Sequence, residues 1–445
     1  MSTAFMPTAI SLLTHFKWGI FLLLERLSDL RGNSAAGHLE ITRPARPLQS
    51  LWVFASTIGE LNAIDPLLRE VIAQVPQLKL VLITDHPHYR DSYLARYPAA
   101  EICVTRGHSA DAATLAIDYP PKLLVVAEIP CWPSDAPCRF SFAFLLEAKR
   151  LGAVAALVNG WLYHYTPPSQ MDTIERRFFQ KDYVRAFDAI GVQTDETRQH
   201  LLAMGADANR VVVTGNVKFD AVNRADWSPA NARSPVMLGA LVQSARPVIV
   251  AGCVSNFAEQ EMVLTAFVTV RAQHPDALLI FAPRHPEVSE RMQTLRNSLS
   301  QRALPGIFKS TLPDTQITAE TACVVLDTMG ELRDFYAAAN IAHVGVDHNV
   351  LEPLAFGKPV TVLPGWDTTY PSYPVYSLLM NSKTLIEVAV AEQLSASWLD
   401  LIDNATHYHE RIRKIDTTLT GACGAVARHM ELLLPSIPNG VTNDS

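Results

Sequence analysis

The sequence lacks the short motifs that usually mark cofactor and metal sites. Its six cysteines are scattered singly and no two stand at CxxC spacing, so neither a zinc site nor a disulfide framework is expected. No GxGxxG follows the first apolar run and no GxxxxGK[ST] occurs, which argues against a dinucleotide cofactor and a P-loop. An Asp-x-Asp pair, a common holder of divalent ions, is absent too. We therefore expect no cofactor and no bound metal.

Positive charge is scarce as well. The chain has 37 Lys and Arg residues against 44 Asp and Glu, and its net charge of −7 argues against a nucleic-acid partner, which would need a basic domain. With 445 residues, 49% of them hydrophobic and 18% charged, the composition is that of a globular protein long enough for two domains.

An uninterrupted apolar run long enough to span a membrane is also missing. Residues 9–27 are rich in Ile, Leu, Phe and Trp, but Lys17, Glu25 and Arg26 interrupt them. The run falls short of the roughly 20 apolar residues that a spanning helix needs. The pattern favours a helix within residues 1–30 that lies at or anchors to a membrane surface, with Trp18 and Lys17 in the headgroup region. The alternative is a core helix of the first domain.

Short apolar runs alternate with helix-length segments in two successive series. The first series predicts strands at residues 51–56, 80–84, 101–105, 123–128, 154–159, 189–194 and 211–215. The second series predicts strands at residues 247–251, 277–282, 323–327, 341–346 and 359–363. Continuous Val, Ile and Leu runs separated by helices are typical of parallel sheets covered on both faces.

The alternation predicts an α/β fold of two doubly wound, Rossmann-like domains that face a cleft. The domains are expected at residues 31–221 and 247–434, with a connection at 222–246 and a frayed tail at 435–445. Such an architecture suits sugar-nucleotide transferases, binding proteins of the periplasmic type and some epimerases, and the fold alone does not choose among them.

Two stretches of the second domain suit a phosphate group. Arg284 and His285 follow the second predicted strand of that domain, where an Arg can bind a phosphate through two parallel hydrogen bonds. An ordinary surface Arg is the alternative. At residues 327–332 a strand runs into a helix, and the backbone N–H groups near Met329 and Gly330 could face an anion.

The most informative stretch is the loop and short helix after the strand at 341–346. It presents His348, Asn349 and Glu352 at the carboxyl end of that strand. A glutamate near the start of such a helix can accept both hydroxyls of a ribose, as acidic residues do in other nucleotide folds. The alternative is a capping carboxylate that the helix dipole favours.

The first domain offers one comparable stretch, Ser56 to Glu60, after its first strand. Gly59 would permit a tight turn, and Glu60 would project from a helix N-terminus. A carboxylate in this place can act as general base toward a hydroxyl group. A plain capping acid is again the alternative.

Taken in order, these stretches resemble the 3-deoxy-D-manno-octulosonic acid (Kdo) transferases of lipopolysaccharide synthesis. The matching stretches are Thr57-Ile58-Gly59-Glu60 and residues 213–220, 283–286, 328–332 and 348–359. The resemblance implies a membrane-associated glycosyltransferase of the GT-B fold that is inverting and metal-independent. It implies transfer of Kdo from CMP-Kdo to a lipid A precursor at the cytoplasmic face of the bacterial inner membrane.

The resemblance also assigns expected roles to residues. Glu60 would be the general base. The donor, a CMP-sugar, would contact Arg284, His285, Met329, Gly330, Glu331, Asn349, Glu352 and Lys218 of the nucleotide-sugar-binding side. Candidates on the acceptor side, in residues 31–221, are Ser56, Gly59, Glu128, Asn159, Arg176 and Arg177. The partners implied are this donor, a lipid-linked acidic acceptor and the inner-membrane surface.

The chain departs from the family pattern where donor sugar and acceptor are expected to bind. Residues 128–133 lack the second acid of the family's Glu-Thr-Glu-Leu-Trp-Pro, and residues 159–161 lack the Arg of Asn-Ala-Arg. Residues 253–257 replace the family's Ser-Thr-His-Glu-Gly. The resemblance is therefore to a divergent member of the family. The alternatives are a GT-B transferase for another nucleotide sugar or acceptor, and a non-catalytic relative that binds a nucleotide.

Basic residues also recur in the first domain. Arg176, Arg177, Lys181 and Arg185 stand at roughly helical spacing. They predict either a patch that faces an acidic lipid or a solvated helix face.

Overall fold

The computed structural model divides the chain into two units. One unit contains Met1–Ala221 together with Ala422–Ser445, and the other contains Val222–Gly421. The structure describes residues 10–30, 39–128, 141–161, 170–222, 227–304, 306–312, 314, 317–318, 320–368 and 370–437.

The first unit is built on a sheet of seven parallel strands in the order β3-β2-β1-β4-β5-β6-β7. The strands are β1 (Ser50–Phe54), β2 (Lys79–Thr84), β3 (Glu101–Val104), β4 (Pro121–Ala127), β5 (Val154–Gly160), β6 (Ala189–Val192) and β7 (Val211–Val213). Helices on both faces bury β1, β5 and β6 over their whole length, which explains their continuous apolar sequence.

The helices of this unit follow the strands in alternation. They are α1 (Leu12–Leu30), α2 (Ile58–Gln74), α3 (Arg90–Arg96), α4 (Ser109–Asp118), α5 (Phe142–Arg150), α6 (Gln170–Ala186) and α7 (Asp195–Ala203).

The second unit repeats the design with a sheet in the order β10-β11-β9-β8-β12-β13-β14. Its strands are β8 (Val248–Val254), β9 (Leu278–Pro283), β10 (Gly306–Phe308), β11 (Cys323–Val325), β12 (Ile341–Val344), β13 (Val360–Val362) and β14 (Ile386–Glu387). Its helices are α8 (Pro235–Gln243), α9 (Phe257–Gln273), α10 (Ser289–Gln301), α11 (Leu332–Ala338), α12 (Leu351–Ala355), α13 (Tyr373–Asn381), α14 (Ala391–Asp403) and α15 (Ala405–Ala422). The predicted α/β class with two doubly wound halves is confirmed.

The last helix, α16 (Ala425–Leu433), belongs to the first unit, whereas the sequence assigned it to the second. Leu432 and Leu433 are buried in the core of the first sheet. The carboxylate of Asp220 accepts hydrogen bonds from the backbone N–H groups of Gly424 and Val426, both at 2.6 Å, and so fixes the start of the helix. These contacts lie more than 200 residues apart in sequence, so helical periodicity alone gave no sign of them.

Helix α1 packs against the first unit through one face. Phe21 is buried and stacks with Trp18 at 5.2 Å between ring centroids, and both rings meet Phe179 of α6. Lys17 forms an ion pair with Asp182 of the same helix. Trp18 and Lys17 therefore face α6, and the prediction that they are the membrane anchors is wrong.

The opposite face of α1 is apolar and exposed. Its exposed side chains follow each other at intervals of three and four residues, as one stripe of a helix requires: Leu13, Phe16, Ile20, Leu23, Leu27 and Leu30. Among the described residues, none of the helices has the length and apolar character needed to cross a membrane.

Candidate active site

The order of the first sheet locates a candidate site. In the sheet, β1 lies between β2 and β4. Where the connections of two neighbouring strands leave toward opposite sides, a crevice forms at the carboxyl ends of those strands. Glu60 begins the helix after β1, and Glu128 directly follows β4. Two acids therefore lie at the point of this sheet where a ligand is expected.

Glu60 completes a capping box at the start of α2. Its N–H donates to the hydroxyl of Thr57 at 3.2 Å, and its Oε2 accepts hydrogen bonds from the backbone N–H groups of Ser56 at 2.5 Å and Thr57 at 3.3 Å. The capping alternative is thus realised in the structure. Capping does not exclude a chemical role for Glu60, because both backbone hydrogen bonds end on Oε2 and neither involves Oε1.

The surroundings of Glu60 favour a protonated carboxyl. Burial raises its pKa to about 8, and the negative charges of Glu128 and Asp85 act in the same direction. A carboxylate that titrates near neutral pH is matched to taking a proton from a hydroxyl group. Perturbed acids of this kind gather at functional sites more often than elsewhere.

Glu128 is held by two side chains from neighbouring segments. Asn159 donates from Nδ2 to Glu128 Oε1 at 2.7 Å, and Lys218 forms an ion pair with the same oxygen at 3.0 Å. Both Glu128 and Asn159 have a φ of +55°, a left-handed conformation that non-glycine residues rarely adopt. Strained backbone of this kind is concentrated at functional sites.

The structure joins Lys218 to the acceptor-side residues of the first unit. The sequence had grouped it with the donor residues, all others of which lie in the second unit. Arg176 and Arg177 lie on α6 beside α1, and Arg177 is exposed. The family's second acid would fall at residue 130, which lies outside the described residues.

Gly59 does not have the role that the sequence suggested. Its φ is not positive, and a Cβ placed there would meet only the hydroxyl of Thr57, at an ordinary 3.6 Å. The turn before α2 is made by the capping box instead.

Sequence reasoning missed the groups that follow β2. Ser56 donates its hydroxyl hydrogen to Asp85 Oδ1 at 2.6 Å. The next turn stacks His86 on His88, with ring centroids 5.3 Å apart, and packs Tyr89 against His88 at 4.1 Å. No short motif marks these residues, and only the pairing of β1 with β2 brings them beside Ser56.

Acidic residues crowd the site around Glu60 and Glu128. Within the described part of the chain, no group of three or more His, Cys, Asp or Glu side chains is placed to hold an ion.

The second sheet diverges in the same way between β8 and β12. Glu259 begins the helix after β8 as Glu60 does after β1: its Oε2 accepts from the N–H of Ser255 at 2.7 Å, and its N–H donates to Asn256 Oδ1 at 3.0 Å. Its other oxygen meets Nε2 of His343 at 3.3 Å, and both side chains are fully buried. Glu259 therefore has a partner inside the protein that Glu60 lacks among the described residues.

Arg284 and His285 lie at the carboxyl end of β9, as predicted. The backbone N–H of Arg284 donates to Val254 O at 2.9 Å and joins the end of β9 to the end of β8. His285 has a φ of +59° and turns its ring outward to Glu287, 2.9 Å away. Arg284 is therefore the better placed of the two to meet an anion at this edge.

The turn before α11 contains two exposed residues, Met329 and Gly330. Met329 is 75% exposed, and Gly330 has a φ of +85°. Arg233 donates to the carbonyl of Met329 at 2.9 Å and covers Gly330 from one side. This arginine, from the segment before α8, is a cation that sequence reasoning did not associate with the turn.

Glu331 lies beneath this turn and is buried. It accepts hydrogen bonds from the hydroxyls of Ser234 at 2.7 Å and Thr328 at 2.8 Å, so its oxygens are engaged within the protein. Its observed contacts are those of a residue that supports the turn.

His348, Asn349 and Glu352 gather after β12. Asn349 accepts from the N–H of Leu351 at 3.1 Å and donates to Glu352 Oε1 at 3.3 Å. Burial raises the pKa of Glu352 and lowers the pKa of His348, whose Nδ1 meets the carbonyl of Val346 at 2.8 Å. At the carboxyl end of β12 the group therefore presents the carboxylate of Glu352, which can accept hydrogen bonds from hydroxyl groups, and the exposed amide of Asn349.

The sequence matches known proteins in both units. A family model described as 3-Deoxy-D-manno-octulosonic-acid transferase (kdotransferase) matches residues 25–221. The 3-deoxy-D-manno-octulosonic acid transferase of Haemophilus influenzae is 26% identical over 416 residues, which are 89% of this chain and 89% of that protein. These matches support a member of the Kdo transferase family. The transferase of Bordetella pertussis is 27% identical over 375 residues, or 75% of this chain and 78% of its own.

A solved structure of another protein supports the fold described for this chain. The UDP-GlcNAc 2-epimerase of Neisseria meningitidis, bound to UDP-GlcNAc, aligns with a TM-score of 0.56 at 16% identity, over 87% of this chain and 100% of that one. This likeness shows the fold alone. The relatives are named Kdo transferases, which supports a glycosyltransferase, and the GT-B arrangement predicted from the sequence agrees with the two sheets.

Proposed function

We propose that this chain transfers Kdo from CMP-Kdo to a lipid-linked acidic acceptor, a lipid A precursor, in lipopolysaccharide synthesis. The choice of Kdo as the transferred sugar is supported by the names of the relatives, which are Kdo transferases. The observation that carries the chemistry is the pKa of Glu60, raised to about 8 by burial and by two neighbouring acids.

The reaction is a single displacement that inverts the sugar. An acceptor hydroxyl oxygen forms a bond to the anomeric carbon while the bond from that carbon to the phosphate oxygen breaks and CMP departs. The ionised Glu60 takes the hydroxyl proton, and general-base help of this kind contributes roughly 10²–10⁴-fold to a rate. Inversion requires this base to approach from the side opposite to the leaving phosphate.

The donor is held by the second unit in this proposal. Arg284 and the backbone N–H groups of the exposed residues Met329 and Gly330 meet the phosphate of CMP and stabilise the charge that develops as it leaves, without a metal ion. Glu352 accepts the ribose hydroxyls, with Asn349 orienting its carboxylate.

The acceptor side lies in the first unit. Lys218 and the Ser56–Asp85 pair line the same end of the sheet as Glu60, beside the stacked rings of His86 and His88. We propose that this rim contacts the sugar and the phosphate of the acceptor.

We propose a peripheral position at the cytoplasmic face of the inner membrane, and the surfaces of α1 and α6 support contact with a membrane. The exposed apolar stripe of α1 lies beside a helix whose exposed face carries Arg177, Phe178 and Lys181. Apolar side chains next to basic ones suit the boundary between acyl chains and anionic headgroups. The acceptor would then reach the enzyme from the bilayer.

The direct test is incubation of the full chain with CMP-Kdo and a lipid A precursor, followed by mass spectrometry of the lipid. The proposal expects a product heavier by one or more Kdo residues and release of CMP. Parallel reactions with UDP- and GDP-sugars should give no product. Transfer only from one of those donors would overturn the choice of sugar nucleotide, and tight CMP binding without any turnover would favour a non-catalytic relative.

A further inference from the structure

The C-terminal helix α16 inserts one polar side chain into the first unit. His429 is fully buried, and its ring lies where a side chain on Gly191 of β6 would have to be: a Cβ there would come within 2.7 Å of the imidazole. The glycine thus leaves room for a histidine that is 238 positions away, a histidine with no part in the reaction proposed above.

The hydrogen bonds of His429 define its tautomer. Nδ1 lies 2.8 Å from the carbonyl of Ala425, which can only accept, so Nδ1 carries the proton. Nε2 is then an acceptor, and the backbone N–H of Asn159 donates to it at 3.0 Å. Thr214 Oγ1 lies 3.0 Å from the same nitrogen. Burial lowers the pKa of His429 to about 4, in keeping with a neutral ring at physiological pH.

Asn159 is the residue that gains from this contact. Its left-handed backbone, with φ of +55°, persists only where surrounding bonds hold it. The contact to His429 holds its N–H, and Gln193 donates from Nε2 to its carbonyl at 3.0 Å. Without an acceptor at Nε2, a buried N–H would be left unpaired.

The side chain of Asn159 reaches both Glu128 and the turn that carries Lys218. Nδ2 donates to Glu128 at 2.7 Å, and Oδ1 accepts from the N–H of Val217 at 3.1 Å, which fixes the turn that carries Lys218. Glu128 and Lys218 are thereby aligned with each other at 3.0 Å. A rotation of the Asn159 backbone would misplace both.

We propose that His429 is a positioning residue for the acceptor side of the active site, acting through Asn159 on Glu128 and Lys218. This inference rests on the proposed function. It links the C-terminal helix to the chemistry of the first unit. It also explains why α16 returns to the first unit with a histidine at a buried position that an apolar side chain could fill.

The test compares two substitutions at one position with a neighbour as control. His429→Leu keeps an apolar fit but removes the acceptor, whereas His429→Gln can again offer an oxygen to the Asn159 N–H. Arg428→Met is the control, because Arg428 also ties α16 to this region, donating to the carbonyl of Thr214 at 2.8 Å, without touching Asn159. Each variant is assayed for kcat, for KM of each substrate and for the pH dependence of kcat/KM.

The expected result is a roughly 10–100-fold loss of kcat in His429→Leu with the KM for CMP-Kdo unchanged, in the range found when supporting contacts of a site are removed. The acid limb of kcat/KM should move to lower pH, since a displaced Glu128 acts less on Glu60. His429→Gln should recover most of the activity, and Arg428→Met should keep the kcat and pH profile of the unaltered chain.

Further outcomes decide against the inference. A folded His429→Leu with unaltered kcat and pH profile overturns it, as does an equal loss in Arg428→Met. If His429→Leu does not fold, His429→Ala and Asn159→Ala are measured singly and together: additive losses overturn the inference, because residues that act in series give non-additive effects. Absence of turnover in the unaltered chain would instead reject the proposed function itself.

Discussion

Glu60 and Glu259 begin corresponding helices in the two units, and their neighbours differ. Each follows the first strand of its unit, and each accepts a hydrogen bond from a backbone N–H four residues earlier. Glu259 faces the buried ring of His343, whereas Glu60 faces the charges of Glu128 and Asp85. The same local geometry therefore gives a structural acid in one unit and a candidate base in the other.

The variants Glu60→Gln and Glu259→Gln should separate these two roles. The amide oxygen of glutamine can still accept a backbone hydrogen bond at either helix start. We expect Glu60→Gln to lose roughly 10²–10⁴-fold in kcat, by removal of the base. We expect Glu259→Gln to lower the free energy of unfolding by about 1–3 kcal/mol, since His343 loses a charged partner, and to keep the activity of the folded fraction. Transfer assays and chemical denaturation measure the two effects.

The difference in stability between Glu60→Gln and the unaltered chain should also depend on pH, with a defined sign. The folded-state pKa of Glu60 is about 8 against an ordinary value of 4.5, so the protonated carboxyl stabilises the fold at low pH and that stability is lost as pH rises through 8. Relative to the unaltered chain, Glu60→Gln should gain stability between pH 4.5 and 8. A constant difference across this range would contradict the burial assigned to Glu60.

At the residue scale, the sequence predicts those parts of the site whose residues lie together in one short segment. Ser56 to Glu60 and the group at His348, Asn349 and Glu352 could be found because each lies in one short segment. The charges of Asp85 and Glu128 on Glu60 could not be foreseen, because three different strands bring them together.

At the scale of elements, the twelve predicted strands are all present. The structure adds β10 and β14, which have three and two residues and lie at the two edges of the second sheet. Such short edge strands form too little buried surface to leave an apolar pattern. The segment 222–246, read as a connection plus an entry helix, contains α8, and three buried apolar side chains attach that helix to the second unit.

Gly345 directly follows β12, at a point where the backbone passes very close to the end of β8. A Cβ at this position would lie 2.0 Å from the carbonyl oxygen of Cys253. We expect Gly345→Ala to cost at least about 1–3 kcal/mol of unfolding free energy, because backbone rather than a mobile side chain must move. Gly239→Ala in α8 is the control, since nothing lies within 4 Å of its added methyl and a helix interior gains up to about 1 kcal/mol from Ala. Equal stability of the two variants would contradict the close approach.

At the scale of the whole molecule, the chain passes from the first unit to the second and back again. The sequence predicted two similar halves but not this return, because the contacts of α16 with the first sheet are all distant in sequence. It foresaw an amphipathic N-terminal helix, though not which face packs on the protein.

Binding to membranes tests the role given to α1. The double variant Phe16→Ser, Leu23→Ser removes two side chains that are 68% and 58% exposed. We expect vesicle binding to fall at least about tenfold, since a buried Leu or Phe is worth about 1.5–3 kcal/mol. Co-sedimentation with vesicles that contain anionic lipid measures it. Ile117→Ser on α4, 69% exposed, is the matched control and should bind as the unaltered chain does. Unchanged binding of the double variant would reject α1 as the membrane face.

The central claim is that Glu60 is a base whose basicity is set by its neighbours. The most direct measurement is the pH dependence of kcat/KM for the unaltered chain and for Glu128→Gln. The account predicts a rate that rises with pH and levels off near pH 8 in the unaltered chain, because Glu60 must be ionised to accept a proton. In Glu128→Gln the rise should occur at lower pH, because a negative charge that raises the pKa of Glu60 is gone. An acid limb that stays in place, or one that persists in Glu60→Gln, would contradict the claim.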